Sequence, residues 1–183
     1  GMFRDTACDE PGEAVAALVA AAMEEAVAEL NAFREREGAA LAEELLRRSA
    51  AIRARAGRME ELRGQAVAAC HARLMERVSG LLDGAALDPQ RLAQEVALLA
   101  DRSDISEELT RLRLHAEELE ALLQRGGEVG KRLDFLLQEM AREANTILSK
   151  SIGTGEPGMA ITALALDVKT EIEKVKEQSL NLE

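Results

Sequence analysis

Between Pro11 and Leu82 the chain has no proline and only isolated glycines, and Ala, Glu, Leu and Arg make up most of the segment. These are strong helix formers, so this stretch has little choice but to be helical. Val15, Leu18, Val19 and Ala22, then Val27 and Leu30, fall at helical spacing, and Leu41, Leu45, Ile52, Met59 and Leu62 continue an apolar stripe. Gly38, Gly57 and Gly64 are candidate kinks, each costing only about 1 kcal/mol relative to Ala. Residues 11–83 are expected to form either one long arm or a helical hairpin. Pro11, after the acids Asp9 and Glu10, is a helix start. Residues 1–10 read as a disordered polar leader, in which Gly1 before Met2 looks like a tag-cleavage scar.

The rest of the chain is punctuated helix. Asp83-Gly84 is a break, and Asp88-Pro89 joins an N-cap acid to a first-turn proline, predicting a helix from Pro89 to about Asp101. Asp104 is expected to cap the next helix, with Glu107 as its capping-box partner. That helix should run to about Gln124 and stop at Gly126-Gly127. A third is predicted over about Val129–Lys150. Gly153 to Gly158 reads as a loop. A final helix spans about Met159–Leu180, with Ile161, Leu164, Val168, Ile172, Val175 and Leu182 at coiled-coil-like spacing. No β pattern of useful length occurs. The expected class is all-α: the arm or hairpin, then a C-terminal domain over 88–183 built as a bundle of about four helices.

Composition narrows the function. Aromatic content is 2%, with three Phe and no Trp or Tyr, so a core must rest on aliphatic side chains, which suits seams between helices. The net charge of −11 lacks the basic bias of nucleic-acid binders, so RNA contact would need local Arg/Lys patches or bound metal ions; DNA binding is not expected. Arg47, Arg48, Arg53, Arg55, Arg58 and Arg63 form a basic stretch that reads as a solvated face, offset by Glu43, Glu44, Glu60 and Glu61, in preference to a phosphate-contacting one. Cys8 and Cys70 read as reduced thiols. No apolar run approaches the roughly 18 residues of a membrane span, and no signal peptide is expected, so a cytoplasmic protein is predicted. Walker, Rossmann, zinc-type and nucleophile-elbow patterns are absent.

Two helices carry the chemistry. On the helix over Val129–Lys150, Leu133, Leu136, Leu137, Met140, Ala144, Ile147 and Leu148 form one apolar face, and Asp134, Gln138, Glu139, Arg142, Glu143, Asn145, Thr146, Ser149 and Lys150 the rest. Phe135 lies among the polar residues, which implies that this face is covered by a helix, a second subunit or a ligand. A helix–helix contact in an oligomer is the readier reading, base stacking the sharper one. Glu139 and Glu143, four residues apart, project from adjacent turns and suit a divalent cation with oxygen ligands. The second cluster is Glu95, Asp101, Asp104, Glu107, Glu108, Arg111 and His115. Glu108, Arg111 and His115 at i, i+3 and i+7 share one side of a helix, bringing acid–base and phosphate-binding groups together. His115 is the imidazole placed for proton transfer near neutral pH. A surface salt-bridge network is the alternative.

These residues carry a resemblance. The segment Gln94-Glu95-Val96-Ala97-Leu98-Leu99-Ala100-Asp101-Arg102-Ser103-Asp104-Ile105-Ser106-Glu107-Glu108-Leu109, with Arg111, Leu112 and His115, resembles the first signature of the YicC/YloC-type family. Gly130-Lys131-Arg132-Leu133-Asp134-Phe135-Leu136-Leu137-Gln138-Glu139-Met140 and then Arg142-Glu143-Ala144-Asn145-Thr146-Ile147-Leu148-Ser149-Lys150 resemble the second. The strong likeness covers 94–183. The resemblance implies a stress-associated endoribonuclease acting on single-stranded RNA with a divalent metal, Mg or Mn, and a homo-oligomer, a hexamer in the family. Family members usually begin with a further N-terminal domain, which this chain is expected to lack. Carried onto matching positions, the expected catalytic residues are His115, Glu108, Arg111 and Arg142; the phosphate-binding residues Lys131, Arg132 and Lys150; and the metal ligands Glu139, Glu143, Asp101 and Asp104. Glu95, Glu107, Asp134, Phe135, Gln138 and Asn145 complete the set. The competing reading is a non-catalytic oligomeric scaffold or RNA-binding protein whose polar motifs form subunit interfaces.

Overall fold

The computed structural model describes residues 12–81, 89–127, 129–151 and 155–179. The expected leader, Pro11, the Asp83-Gly84 break, the Asp88 cap, Cys8 and Leu182 lie outside these. Every regular element among the described residues is an α-helix: α1 Glu13–Leu81, α2 Pro89–Ser103, α3 Ser106–Arg125, α4 Gly130–Ser151 and α5 Gly155–Ser179. The all-α class is as expected. α1 is a single helix that runs through Gly38, Gly57 and Gly64 without interruption, so the long arm is realised and not the hairpin. A glycine's cost of about 1 kcal/mol is too small to break a helix held by its neighbours.

The chain divides into two units, residues 1–40 and 41–183. The boundary falls inside α1, whereas the sequence pattern separates 11–83 from 88–183. In the first unit, Val15, Leu18, Val19, Met23, Val27, Leu30 and Phe33 are all more than half exposed. Their helical spacing is real, but no described residue of the unit covers it.

In the second unit the buried positions follow one rule. α1 buries Leu45, Ser49, Ile52, Ala56, Met59 and Ala66; α3 buries Leu109, Leu112, Ala116, Leu119 and Leu123, extending the series begun at Ile105. α4 buries Leu133, Leu136, Met140, Ala144, Ile147 and Ser151, and α5 buries Ile161, Ala165, Val168, Ile172, Val175 and Ser179. Steps of three and four, or of seven where the two are taken together, recur along all four helices, which is the packing of bundles with nearly aligned axes. α3 packs on α4, α4 on α5, and α2 touches α4. α1 is tied to the others by Ser49, whose hydroxyl donates to the Ala116 carbonyl at 3.2 Å, and by Arg48 to Glu171 at 2.8 Å. With so few aromatics, stability comes from many aliphatic burials of roughly 1.5–3 kcal/mol each.

The helix ends differ from expectation at two places. Asp104 does not form a capping box: the residue at the N-cap is Ile105, without a side-chain cap. Asp104 instead accepts the Ser106 amide at 3.1 Å and the Ser106 hydroxyl at 2.8 Å, while Glu107 pairs forward with Arg111. A short acid two residues before an amide closes such a turn on its own. The expected loop from Gly153 to Gly158 is helical from Gly155. Pro157 is tolerated because its missing N–H falls in the first turn, where no helical partner exists. Gly126, with φ +66, ends α3 as expected, its N–H bonded to the Leu122 carbonyl at 3.2 Å.

Candidate functional site

α3 and α4 face each other along ion pairs that step in opposite chain directions: Glu118 with Arg132 at 2.6 Å, Arg111 with Glu143 at 3.7 Å, and Glu108 with Lys150 at 2.8 Å. The two helices are therefore antiparallel, and the residues between these pairs meet across the seam. His115 from α3 meets Glu139 and Glu143 from α4, with one donor atom of each lying within 4.8 Å of the other two. Among the described residues this is the group able to hold a cation. The i,i+4 spacing of the two acids and the i,i+7 offset between Glu108 and His115 put these residues on the inward margins of their helices.

Glu143 is the least expected member. The helical wheel places it on the polar face, yet it is 3% exposed. It lies directly beside Ala144 at the edge of the apolar stripe, and α3 covers that edge. No described residue donates a hydrogen bond to its carboxylate, and the nearest cation, Arg111, stays at 3.7 Å. A buried carboxylate in that state is costly unless a cation compensates it. Glu139 is half-buried and has Arg142 at 3.5 Å.

One imidazole nitrogen with two carboxylate oxygens is a mixed donor set. It fits Mn²⁺, which accepts both donor types, better than Mg²⁺, which favours oxygen alone. The residues present thus fit a divalent ion.

The remaining predicted residues separate from this cluster. Glu108 is 7% exposed and bound to Lys150. The Lys150 ammonium also donates to the Asp104 carbonyl at 2.9 Å, so it ties α4 to the start of α3. Asp101 and Asp104, expected as metal ligands, do not join the group. Asp101 is exposed. Asp104 is engaged by Arg63 at 3.0 Å as well as by Ser106. Burial pushes the Asp104 carboxyl pKa up, but the Ser106 hydroxyl and amide and the Arg63 guanidinium outweigh it and hold the group below its ordinary value. The Arg63 pKa is raised in turn, chiefly by its hydrogen bond to Asp104. Glu95, Glu107, Lys131, Arg132, Asp134, Phe135, Gln138 and Asn145 are exposed. Gln138, Ala141, Arg142, Asn145, Thr146 and Ser149 line an open groove on the outer face of α4.

Sequence reasoning missed the roles of the α1 arginines. Arg48, Arg53, Arg55 and Arg63 reach acids on other elements, Glu171, Glu120, Asp167 and Asp104 respectively. The expected offset along the helix is present as well, Arg47 and Arg48 pairing with Glu44, Arg58 with Glu61 and Arg63 with Glu60. For Arg63 the signal was present: it continues the series 45, 49, 52, 56, 59 that faces the bundle.

A family model described as "Endoribonuclease YicC-like, C-terminal" matches residues 59–183. The chain is 39% identical over 163 residues to a protein of Clostridioides difficile named "Probable endoribonuclease YicC", covering 88% of this chain and 54% of that one. It is 50% identical over 97 residues to a Haemophilus influenzae protein of the same name, covering 53% of this chain and 32% of that one. The chain therefore spans about half the length of the first relative and about a third of the second. His115, Glu139 and Glu143 all lie inside the family match.

Proposed function

The chain belongs to the YicC-like endoribonuclease family, and from that premise we propose that it carries the site of a divalent-metal-dependent endoribonuclease acting on single-stranded RNA. The observation that supports this most is the convergence of His115, Glu139 and Glu143 within 4.8 Å, with Arg111 and Arg142 beside the two carboxylates. A bound divalent ion would supply an activated water and polarise a phosphoryl oxygen. Glu139 and Glu143 offer one oxygen each and His115 one ring nitrogen. Arg111 is more than half exposed and Arg142 72% exposed, so both guanidinium groups can reach a phosphate at the rim of the cluster. Glu108 and Lys150, bound to each other, keep α3 and α4 in register rather than moving protons.

The test is cleavage of a single-stranded RNA oligonucleotide by the full chain with Mn²⁺, with Mg²⁺ and with EDTA. Cleavage is expected with metal, strongest with Mn²⁺, and is expected to fall by at least about 100-fold in His115→Asn and Glu143→Gln. A folded sample without metal-dependent cleavage overturns the proposal. Self-association belongs to the same reading: the uncovered stripe from Val15 to Phe33 is a surface that a second copy would bury. A mass in solution equal to one chain would exclude it.

A further inference from the structure

We propose that Phe135 is a base-stacking platform and that the amides of Gln138 and Asn145 contact base edges of a single RNA strand lying along the outer face of α4; this rests on the reading of the neighbouring cluster as an RNA-cleaving site. α4 has two stripes. One is the buried series already described. The other runs Lys131, Phe135, Gln138, Arg142, Asn145, Ser149, again in alternating steps of four and three, and all six are exposed. In order it presents a cation, an aromatic ring, an amide, a cation, an amide and a hydroxyl.

Such a stripe is a poor seam for another helix. A coiled-coil seam needs apolar residues at these steps, and a polar residue at even one lowers stability. Interface cores gather contiguous apolar surface, whereas Phe135, 58% exposed, has exposed Lys131, Arg132, Asp134 and Gln138 around it on its own helix. A lone aromatic in a cationic and amide-bearing track is how single-stranded nucleic acid is held: the ring stacks on a base, whatever the base, and cations follow the backbone.

The hydrogen-bonding inventory points the same way. The side chains of Gln138 and Asn145 bond to no other described residue, so both donors and the acceptor of each amide are open. The hydroxyls beside them are already committed as donors, Thr146 to the Arg142 carbonyl at 3.2 Å and Ser149 to the Thr146 carbonyl at 2.8 Å. Of the groove's polar side chains, the amides are therefore the ones with donor and acceptor both free, which is what a base edge requires. Placement fits as well. Phe135 stands four residues before Glu139, one turn along the helix, where side chains are roughly 6 Å apart. A base flanking a phosphate held at the cluster would reach the ring. Arg142, only loosely tied to Glu139 at 3.5 Å, is free to turn to the backbone.

The experiment is equilibrium binding of a single-stranded RNA oligonucleotide containing 2-aminopurine to the full chain in EDTA, read by fluorescence, with cleavage in Mn²⁺ measured alongside. Phe135→Ala is expected to weaken binding about tenfold, with the loss of turnover appearing in KM more than in kcat. Phe135→Trp should restore binding, and Gln138→Ala with Asn145→Ala should weaken it and flatten preference among bases. The mass in solution and the Mn²⁺-induced rise in Tm should stay unchanged. Unaltered binding by Phe135→Ala overturns the proposal, and so does a fall in oligomeric mass, which would make Phe135 an interface residue. Phe135-dependent binding without metal-dependent cleavage would sink the nuclease reading and leave this one standing. Cleavage indifferent to Phe135 would do the reverse, and a wild-type chain that neither binds nor cleaves RNA fails both.

Discussion

Glu143 shows where a residue-level reading of sequence stops. Its charge assigns it to the polar face, but exposure depends on which neighbour covers the stripe's edge, and that is a property of α3, not of α4. The same limit hid the fate of Asp104, which was expected to cap α3 but instead accepts from Ser106 in the turn before it and from Arg63 on a distant helix. Each has a measurable consequence. Because Glu143 is buried without hydrogen bonds, Glu143→Gln should leave the metal-free Tm unchanged or raise it, while abolishing the rise in Tm that Mn²⁺ gives the wild type. A large loss of stability without metal would show that the carboxylate serves the fold instead. Asp104 and Glu171 both titrate below their ordinary values: burial opposes this, but Ser106 and Arg63 prevail at Asp104, and Arg48 and Lys174 at Glu171. Their contribution to stability is complete above the unfolded carboxylate range, near about pH 4, and is lost as the pH falls through the lower folded values. Thermal melts between about pH 3 and 7 should therefore steepen downward at the acid end for the wild type. The double variant Asp104→Asn, Glu171→Gln should be flatter there and less stable at pH 7, by about 1 kcal/mol for each pair, since both are partly solvated.

At the scale of elements, helix identity was written in the sequence more clearly than helix ends. The glycine pair after α3 was decisive because a positive φ, as at Gly126, is a conformation few other residues adopt. The start of α5 was misleading because three glycines and a proline between Gly153 and Gly158 carry the signature of a loop, while Pro157 is equally suited to a first helical turn. The spacing of apolar residues foretold the buried face of α4 almost residue for residue, Leu148 being the one only partly buried. It did not foretell Ser49, a polar residue inside the buried series of α1. Its hydroxyl, which donates to the Ala116 carbonyl and also lies 3.1 Å from Glu120, fixes the register of α1 against α3. Ser49→Ala should cost about 1 kcal/mol by removing the hydrogen bond that joins the two helices. Ile52→Ala, three residues along the same stripe and fully buried, should cost roughly 2–4 kcal/mol by opening a cavity. Urea unfolding at a shared slope would rank the two, and an equal cost would mean that the seam is not packed as described.

At the scale of the molecule, the part of α1 beyond Leu41 behaves as a bundle helix. No break is written there, since Gly38 is followed by the same Ala, Leu and Glu as before it, and a division that rests on which helix faces find partners has no local mark. It follows that the division can be tested by cutting. A chain beginning at residue 41 keeps Leu45, Ile52, Ala56, Met59 and Ala66, together with the Arg48, Ser49 and Arg63 ties to α5, α3 and the turn before α3. It should unfold in one cooperative transition, within about 1 kcal/mol of the full chain when both are compared as monomers, because none of the described residues removed is buried. A chain beginning at residue 67 loses all of those side chains, leaving the apolar faces that α1 covers on α3 and α5 open to water. The lost aliphatic burials, roughly 1.5–3 kcal/mol for each large side chain, are together comparable with the 5–15 kcal/mol by which a domain of this size is stable. That shorter chain contains α2 to α5 and every residue of the His115, Glu139, Glu143 cluster, yet it should show no cooperative melt and no Mn²⁺-induced rise in Tm. If it melts cooperatively and responds to Mn²⁺, the long helix is a true appendage and the cluster stands on α3 and α4 alone.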